Sequence, residues 1–151
     1  MPEDIAARAR AIIEDNAYMT LATADGEGLP WATPVWYAPE PDLTLLWISR
    51  PVVRHSVNLE LRAELGIVIF DSHQPPGTAH GLYMGATAAE VGDDELERAV
   101  SVFSERSLRQ GAGPFGLAEV RAPAEHRLYR ATAYEVFISG DRDQRIPVDL
   151  G

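Results

Sequence analysis

The sequence predicts a mainly β chain: an antiparallel barrel with helices packed outside it. Short β-prone runs follow one another through tight turns, which joins neighbouring strands as hairpins. One helical stretch precedes the runs and two interrupt them, giving the order helix, three strands, helix, two strands, helix, strand. No GxGxxG or P-loop is present, and the pattern is not that of a parallel strand–helix–strand sheet.

The first helix is expected over Asp4 to Asp15, where Ile5, Ala9, Ile12 and Ile13 recur at helical spacing and Asp4 can cap. From Tyr18 to Ala24 the period becomes two. Asp25-Gly26, with Gly28 close behind, marks a hairpin turn into a second strand, Pro30 to Tyr37. Pro34 inside that strand predicts an edge, a bulge, or a place where a ligand replaces a neighbouring strand, because proline cannot donate to a ladder. Pro39 to Asp42 reads as a turn and Leu43 to Ile48 as a buried strand. Pro51 to Ala63 is helical, with Val53, Val57 and Leu61 on one side. Gly66 to Phe70 is a strand, and Asp71 to Ala79 is a loop set by two prolines and a glycine. Leu82 to Val91 is a further strand. Asp93 to Leu108 is an amphipathic helix with Leu96, Ala99, Val100 and Phe103 on one face. A glycine-rich connection, Gln110 to Gly116, leads to a helical turn at Ala118 to Ala122. His126 to Ser139 is a long strand or a bent pair, and the last dozen residues read as a polar surface tail. No repeat or linker divides the 151 residues, so a single domain, 1–151, is expected.

Composition excludes several chemistries. There is no cysteine, hence no disulfide, thiol nucleophile or thiolate metal site. There is no lysine either; all 13 basic residues are arginine, which rules out a lysine Schiff base. The formal charge of −10 repels nucleic-acid phosphates. No apolar run approaches the roughly 20 residues that span a bilayer. The acidic start Met1-Pro2-Glu3-Asp4 lacks a signal-peptide pattern, so a cytoplasmic location is expected. His55, His73, His80 and His126 show no metal-ligand spacing, and no GxSxG occurs.

Three constellations remain. The segment Ser49 to Leu59 leaves a buried strand and enters a helix. With Pro51 at the first helical position, Ser49 or Arg50 falls at the N-cap, where free N–H groups and the helix dipole favour an anion. Arg50 and Arg54 stand four apart with His55 adjacent, a cationic cluster in an acidic chain. The competing reading is a solvated helix start with both arginines paired to Glu60 or Glu64. The second constellation is Trp31, Trp36, Tyr37 and Trp47, either a wall for a planar ligand or simply core. The third is the loop Ser72 to Gly77, either a pocket lining or an ordinary surface loop.

The order and spacing of these segments resemble the FMN-binding split-barrel family, the pyridoxamine-phosphate-oxidase-like proteins. The resemblance runs through YMTLATADGEGLPWATPVWY, LLWISRPVVRHSVNL, GIVIF, LYMGATAAEV, ELERAVSVFSERS and RLYRATAYEVF. It implies a split β-barrel, antiparallel and Greek-key-like, that binds FMN. The cofactor phosphate is then expected on Ser49, Arg54 and His55, within a segment that includes Arg50 and Asn58. Thr33, Pro34, Val35 and Trp36 are expected along the isoalloxazine edge, largely through backbone groups. Gln74, Pro76 and Gly77 are expected to complete the pocket, and the chain to form a homodimer with the cofactor between subunits.

Two departures stand out. His55 occupies the place of a usual lysine, which predicts weaker or pH-dependent phosphate binding. The Arg-Leu-His-Asp-Arg run of the true oxidases is replaced by Arg145-Ile146-Pro147-Val148, which argues against pyridoxamine phosphate as substrate. The resemblance thus implies a flavin-dependent oxidoreductase acting on another small molecule. The alternatives are a deazaflavin-dependent reductase on the same barrel and a non-catalytic flavin or haem binder, with His73 or His80 as haem ligand. No residue stands out as a catalytic acid or base.

Overall fold

A computed structural model describes residues 2–78 and 80–150. Met1, Ala79 and Gly151 lie outside the described residues, so the expected loop Asp71 to Ala79 is seen up to Thr78. The elements are α1 (Pro2–Asp15), β1 (Tyr18–Ala24), β2 (Pro30–Pro39), β3 (Leu45–Ser49), α2 (Arg54–Leu61), β4 (Glu64–Ile69), β5 (Leu82–Glu90), α3 (Asp93–Arg109), α4 (Leu117–Val120), β6 (Arg127–Ser139) and β7 (Arg145–Pro147). The strands run in the order β3-β2-β1-β4-β5-β6-β7, and β3 also pairs with β6. That last pairing closes six antiparallel strands into a barrel, with β7 added outside β6. The expected barrel is therefore the observed one.

Alternation along each strand decides what faces the interior. Met19, Leu21 and Thr23 of β1 point in, as do Leu45, Trp47 and Ser49 of β3. Trp47 is fully buried and stacks on Tyr129 at 5.6 Å. Helix α1 adds Ala9 and Ile13 to this core. The outer side of β3 is buried as well. Leu46 there joins Ala38 and Leu128 beneath Leu96, Ala99, Val100 and Phe103 of α3. Two-sided burial explains the unbroken apolar run LLWI.

Several boundaries differ from expectation for local reasons. Helix α1 begins at Pro2, whose fixed φ suits a first turn, so Asp4 lies inside the helix rather than capping it. Leu43 belongs to a turn, not a strand: its φ is +65° and its N–H donates to the Glu40 carbonyl. Asp25 holds the β1–β2 hairpin, its Oδ1 accepting from the N–H groups of Glu27 (2.8 Å) and Leu29 (3.0 Å) while Gly28 takes φ +87°. Strand β6 is continuous, with a bulge that leaves Tyr134 unpaired opposite the Gly85/Ala86 step. The last residues are not a free tail. β7 pairs with β6, Ile146, Val148 and Leu150 pack on the core, and Arg10 donates to the Leu150 carbonyl at 2.9 Å. Those three apolar side chains alternate along the segment, and the edge of β6 gives the backbone its partners.

Among the described residues no helix is long and apolar enough to cross a membrane, and no group of His, Asp or Glu is arranged to hold a metal.

Candidate functional site

The ladder between β2 and β3 covers Pro39↔Leu45, Ala38↔Leu46 and Tyr37↔Trp47, then stops. From Trp31 to Trp36, β2 has β1 on one side and no strand on the other. Pro34 sits on this open edge, where its missing N–H costs no ladder bond. Thr33, Pro34, Val35 and Trp36 therefore form one lip of a split in the barrel, and Ile48, Ser49 and Arg50 continue the other.

The second lip leads into α2. The expected helix start at Pro51 is not observed. Residues 50–53 form a turn closed by the Val53 N–H on the Arg50 carbonyl, and Val53 is an extended N-cap. Helix α2 thus begins at Arg54 and ends at Leu61, shorter at both ends than predicted. Its start is chemically open: no side chain caps it and no acidic residue stands in its first turn. The amides of that turn are left for an external acceptor, at the positive end of the helix dipole.

Arg54 lies on this turn, its guanidinium 4.2 Å above the ring of Trp31. A stacked guanidinium keeps its N–H edge free for an oxyanion. Arg50 leans toward Glu125, 3.7 Å away, with both side chains exposed. Neither arginine pairs with Glu60 or Glu64 among the described residues. Arg54 also helps hold the Asp25 carboxyl below its usual range, after the larger effect of the Leu29 and Glu27 amides.

His55 and Ser49 form a buried pair, Nε2 to Oγ at 2.8 Å. Burial pushes the imidazole below its ordinary value, so the ring is neutral at pH 7 and the proton between the two atoms can sit on either. Asn58 is buried one turn on, and its amide donates to Thr23 Oγ1 at 3.0 Å. That bond ties α2 to β1, a positioning role with no direct reach to solvent.

The other predicted groups separate. Tyr37 and Trp47 are wholly buried core residues, and Trp36 packs against Phe103 under α3. A continuous aromatic wall is therefore not formed, because successive residues of β2 point to opposite sides. Trp31 lies under Arg54, and Trp36 faces the α3 side where β2 and β3 part. Gln74 is exposed and donates to Asp71 Oδ2 at 3.1 Å. Gly77 lines a separate cavity of about 830 Å³ with His80, Tyr83, Arg142 and Arg145. Strand β1 lies between that side of the sheet and β2, and no hydrogen bond or ion pair among the described residues joins Gln74–Gly77 to Ser49–Asn58. His73 is exposed beside Asp71, and His80 Nδ1 lies 3.0 Å from Arg8 Nη2.

Sequence reasoning missed a second feature of the split. Where β2 and β3 diverge, a cavity of about 490 Å³ is lined by Trp36, Ile48, Phe103, Phe115, Glu119 and His126, among others. Two sequence signals belong to it: Trp36, already named as a possible ligand wall, and Phe115, a large aromatic in an otherwise glycine-rich connection.

A sequence model of the pyridoxamine 5′-phosphate oxidase family matches residues 5–139. No curated protein sequence matches the chain. Among solved structures, a protein of unknown function from Agrobacterium tumefaciens is 24% identical over 93% of this chain and 59% of its own, with TM-score 0.75. A heme binding protein from Mycobacterium smegmatis is 19% identical over 95% of this chain and 57% of its own, with TM-score 0.76. An FAD-binding protein from Mesorhizobium loti is 17% identical over 87% of this chain and 91% of its own, with TM-score 0.67. The chain spans less than two thirds of the first two proteins. These likenesses establish the barrel, and the sequence match over residues 5–139 establishes more: the chain belongs to the pyridoxamine 5′-phosphate oxidase family of split barrels.

Proposed function

We propose that this protein binds a flavin nucleotide, FMN, in the split between β2 and the β3–α2 corner, and serves as a flavin-dependent oxidoreductase. The observation that carries the reading is the meeting of two features at one split: an open strand edge, Thr33 to Trp36, and an uncapped, non-acidic helix start bearing Arg54. The first suits the polar edge of a planar ring and the second suits a phosphate. The residues present fit the group. Arg54 offers its N–H edge, the α2 amides offer orphan donors, and the Ser49–His55 pair can present either a donor or an acceptor. A bound flavin supplies the electron transfer, while the chain orients it and excludes water. A deazaflavin coenzyme would use the same lips. Pyridoxamine phosphate is not the proposed substrate, since Arg145-Ile146-Pro147 forms β7 against β6, with Arg145 stacked on Tyr83 at 4.2 Å.

The test is titration of the full chain with FMN, with riboflavin as the phosphate-free control. FMN is expected to bind and riboflavin to bind far more weakly. Arg54→Ala should weaken FMN binding by roughly 1.5–3 kcal/mol, the scale of a hydrogen bond to a charged group. Equal binding of FMN and riboflavin, or an unchanged Arg54→Ala, overturns the phosphate assignment.

One observation favours a second reading. His80, Arg142 and Arg145 stand around the cavity of about 830 Å³, together with Asp141, Asp143, Phe70 and Tyr83. The imidazole and the two aromatic rings suit a haem plane, with the arginines rather than Asp141 and Asp143 meeting its propionates, and a fold neighbour is a heme binding protein. A Soret band that His80→Ala abolishes would support it. An unchanged band in that variant would remove His80 as the ligand.

A further inference from the structure

The cavity at the fork of β2 and β3 lies outside the proposed phosphate corner. Continuing the ladder beyond Tyr37↔Trp47 would pair Trp36 with Ile48, and these two residues instead line the cavity together. Its walls are aromatic and fixed. Trp36 meets Phe103 edge-on at 5.0 Å and Phe115 at 5.9 Å, and Phe103 meets Phe115 at 5.3 Å. The Trp36 indole N–H donates to Gln110 Oε1 at 2.6 Å, which sets its ring. The connection carrying Phe115 is pinned to α3 at two points. The Phe115 N–H donates to Ser104 Oγ at 2.9 Å, and Ser107 Oγ donates to the Gly113 carbonyl at 2.6 Å. A rigid aromatic pocket loses little entropy on filling.

At the rim stand Glu119 and His126. Glu119 is exposed, and no arginine lies within ion-pair distance of it among the described residues. Its carboxylate is available to a ligand that carries a cation or a hydrogen-bond donor.

We propose that this cavity is the substrate pocket, and that it takes a flat aromatic molecule bearing an amine that meets Glu119. This rests on the flavin reading for the word substrate, because Trp36 is shared with the edge proposed for the cofactor ring. Binding itself does not depend on it. The ring of the ligand packs against Trp36 and Phe115, and the amine stays at the wet rim, where its desolvation cost is small.

The test needs no cofactor. The full chain, labelled with nitrogen-15, is titrated with indole, tryptamine and indole-3-acetate, one ring with three charges. The three tryptophan indole N–H signals are followed, with Trp36→Phe identifying that of Trp36. Tryptamine should shift the Trp36 signal saturably and bind about fivefold more tightly than indole, the scale of an exposed ion pair, with indole-3-acetate weakest. Glu119→Gln should bring tryptamine down to indole. Ala118→Phe, a filling change at an exposed lining position, should abolish binding of all three while the remaining spectrum stays folded. No saturable shift at Trp36, or binding that survives Ala118→Phe, overturns the pocket. Indole and tryptamine binding alike overturns the role of Glu119. Tryptamine binding in a protein that fails to bind FMN would remove the flavin reading and leave the pocket standing.

Discussion

His55 is buried against Ser49, and that burial sets its charge. Its folded-state pKa lies below the ordinary 6.5 because desolvation penalises the imidazolium. Between those two values the unfolded chain binds the extra proton, so acidification below about 6.5 destabilises the fold and the effect levels off under the folded-state value. Above 6.5 this group contributes no pH dependence. Urea midpoints measured from about pH 8 to about pH 5 should therefore show a wild-type loss on the acid side that His55→Gln lacks. A phosphate at the same place reverses the direction for binding. An anion beside the ring raises its pKa, so FMN affinity should rise as pH falls. The Gln variant should retain only the titration of the phosphate itself, near pH ~6. Parallel pH profiles for the two proteins would place the phosphate away from His55. Sequence alone supplied the identity of this residue and its distance from lysine in chemistry. It could not show that His55 and Ser49, six positions apart across a turn, would share a proton.

Elements are joined by contacts that no local pattern announces. Arg106 lies on the buried side of α3, only 4% exposed, where helical periodicity calls for an apolar residue. Its guanidinium reaches the end of α1. It bonds Glu14 Oε2 at 2.5 Å and the carbonyls of Ile13, Glu14 and Asn16 at 3.3, 3.2 and 2.9 Å. Those carbonyls lie at and just beyond the C-terminus of α1, where intrahelical donors run out, and the Ile13 carbonyl also accepts from the Tyr37 hydroxyl at 2.5 Å, so one arginine helps cap α1 from another helix. Arg106→Ala should cost about 2 kcal/mol, because it removes the charge-assisted bonds to Glu14 and to the carbonyls at the end of α1. Thermal and urea unfolding measure it; a loss within about 0.5 kcal/mol, the range of an ordinary surface change, would show that water replaces the cap. The amphipathic stripe of α3 was legible, since Leu96, Ala99, Val100 and Phe103 bury as their spacing predicts. The bounds of α2 were less so. Pro51 is compatible with a first helical turn, yet the backbone spends residues 50–53 on a turn that carries the chain away from β3.

At the scale of the molecule, the outer side of β1 and its neighbours in the sheet is open to solvent at Ala22, Ala32 and Pro34. Across β2, β1 and β4 run the uncharged rows Ala32–Ala22–Gly66 and Pro34–Thr20–Val68, bounded at β5 by Glu135 beside Gly85 and by Arg145 over Tyr83. Tyr18 and Tyr134 on the flanks are each 63% exposed. An open, uncharged strip of antiparallel sheet is suited to a second copy placed by a two-fold axis. The homodimer expected from the resemblance would use this face. Light scattering should find a dimer, and Ala22→Asp, at an exposed position with no role in the monomer core, should yield a folded monomer. A wild-type chain that is monomeric at micromolar concentration would overturn the expectation.

The sequence by itself determined the strands, the outer helix and the order in which they follow, because periodicity and turn chemistry are local. It also determined that a cationic cluster stands at the entry to a helix in a chain of charge −10. Only the tertiary structure decided that β3 closes on β6 while parting from β2 after Tyr37. That parting sets Thr33–Trp36 and Ser49–Arg54 on two lips of one split. It also dispersed the tryptophans, one into each core and one to the surface under Arg54. Which face of a strand meets which neighbour depends on the register of residues far apart in the chain, and no local pattern carries that information.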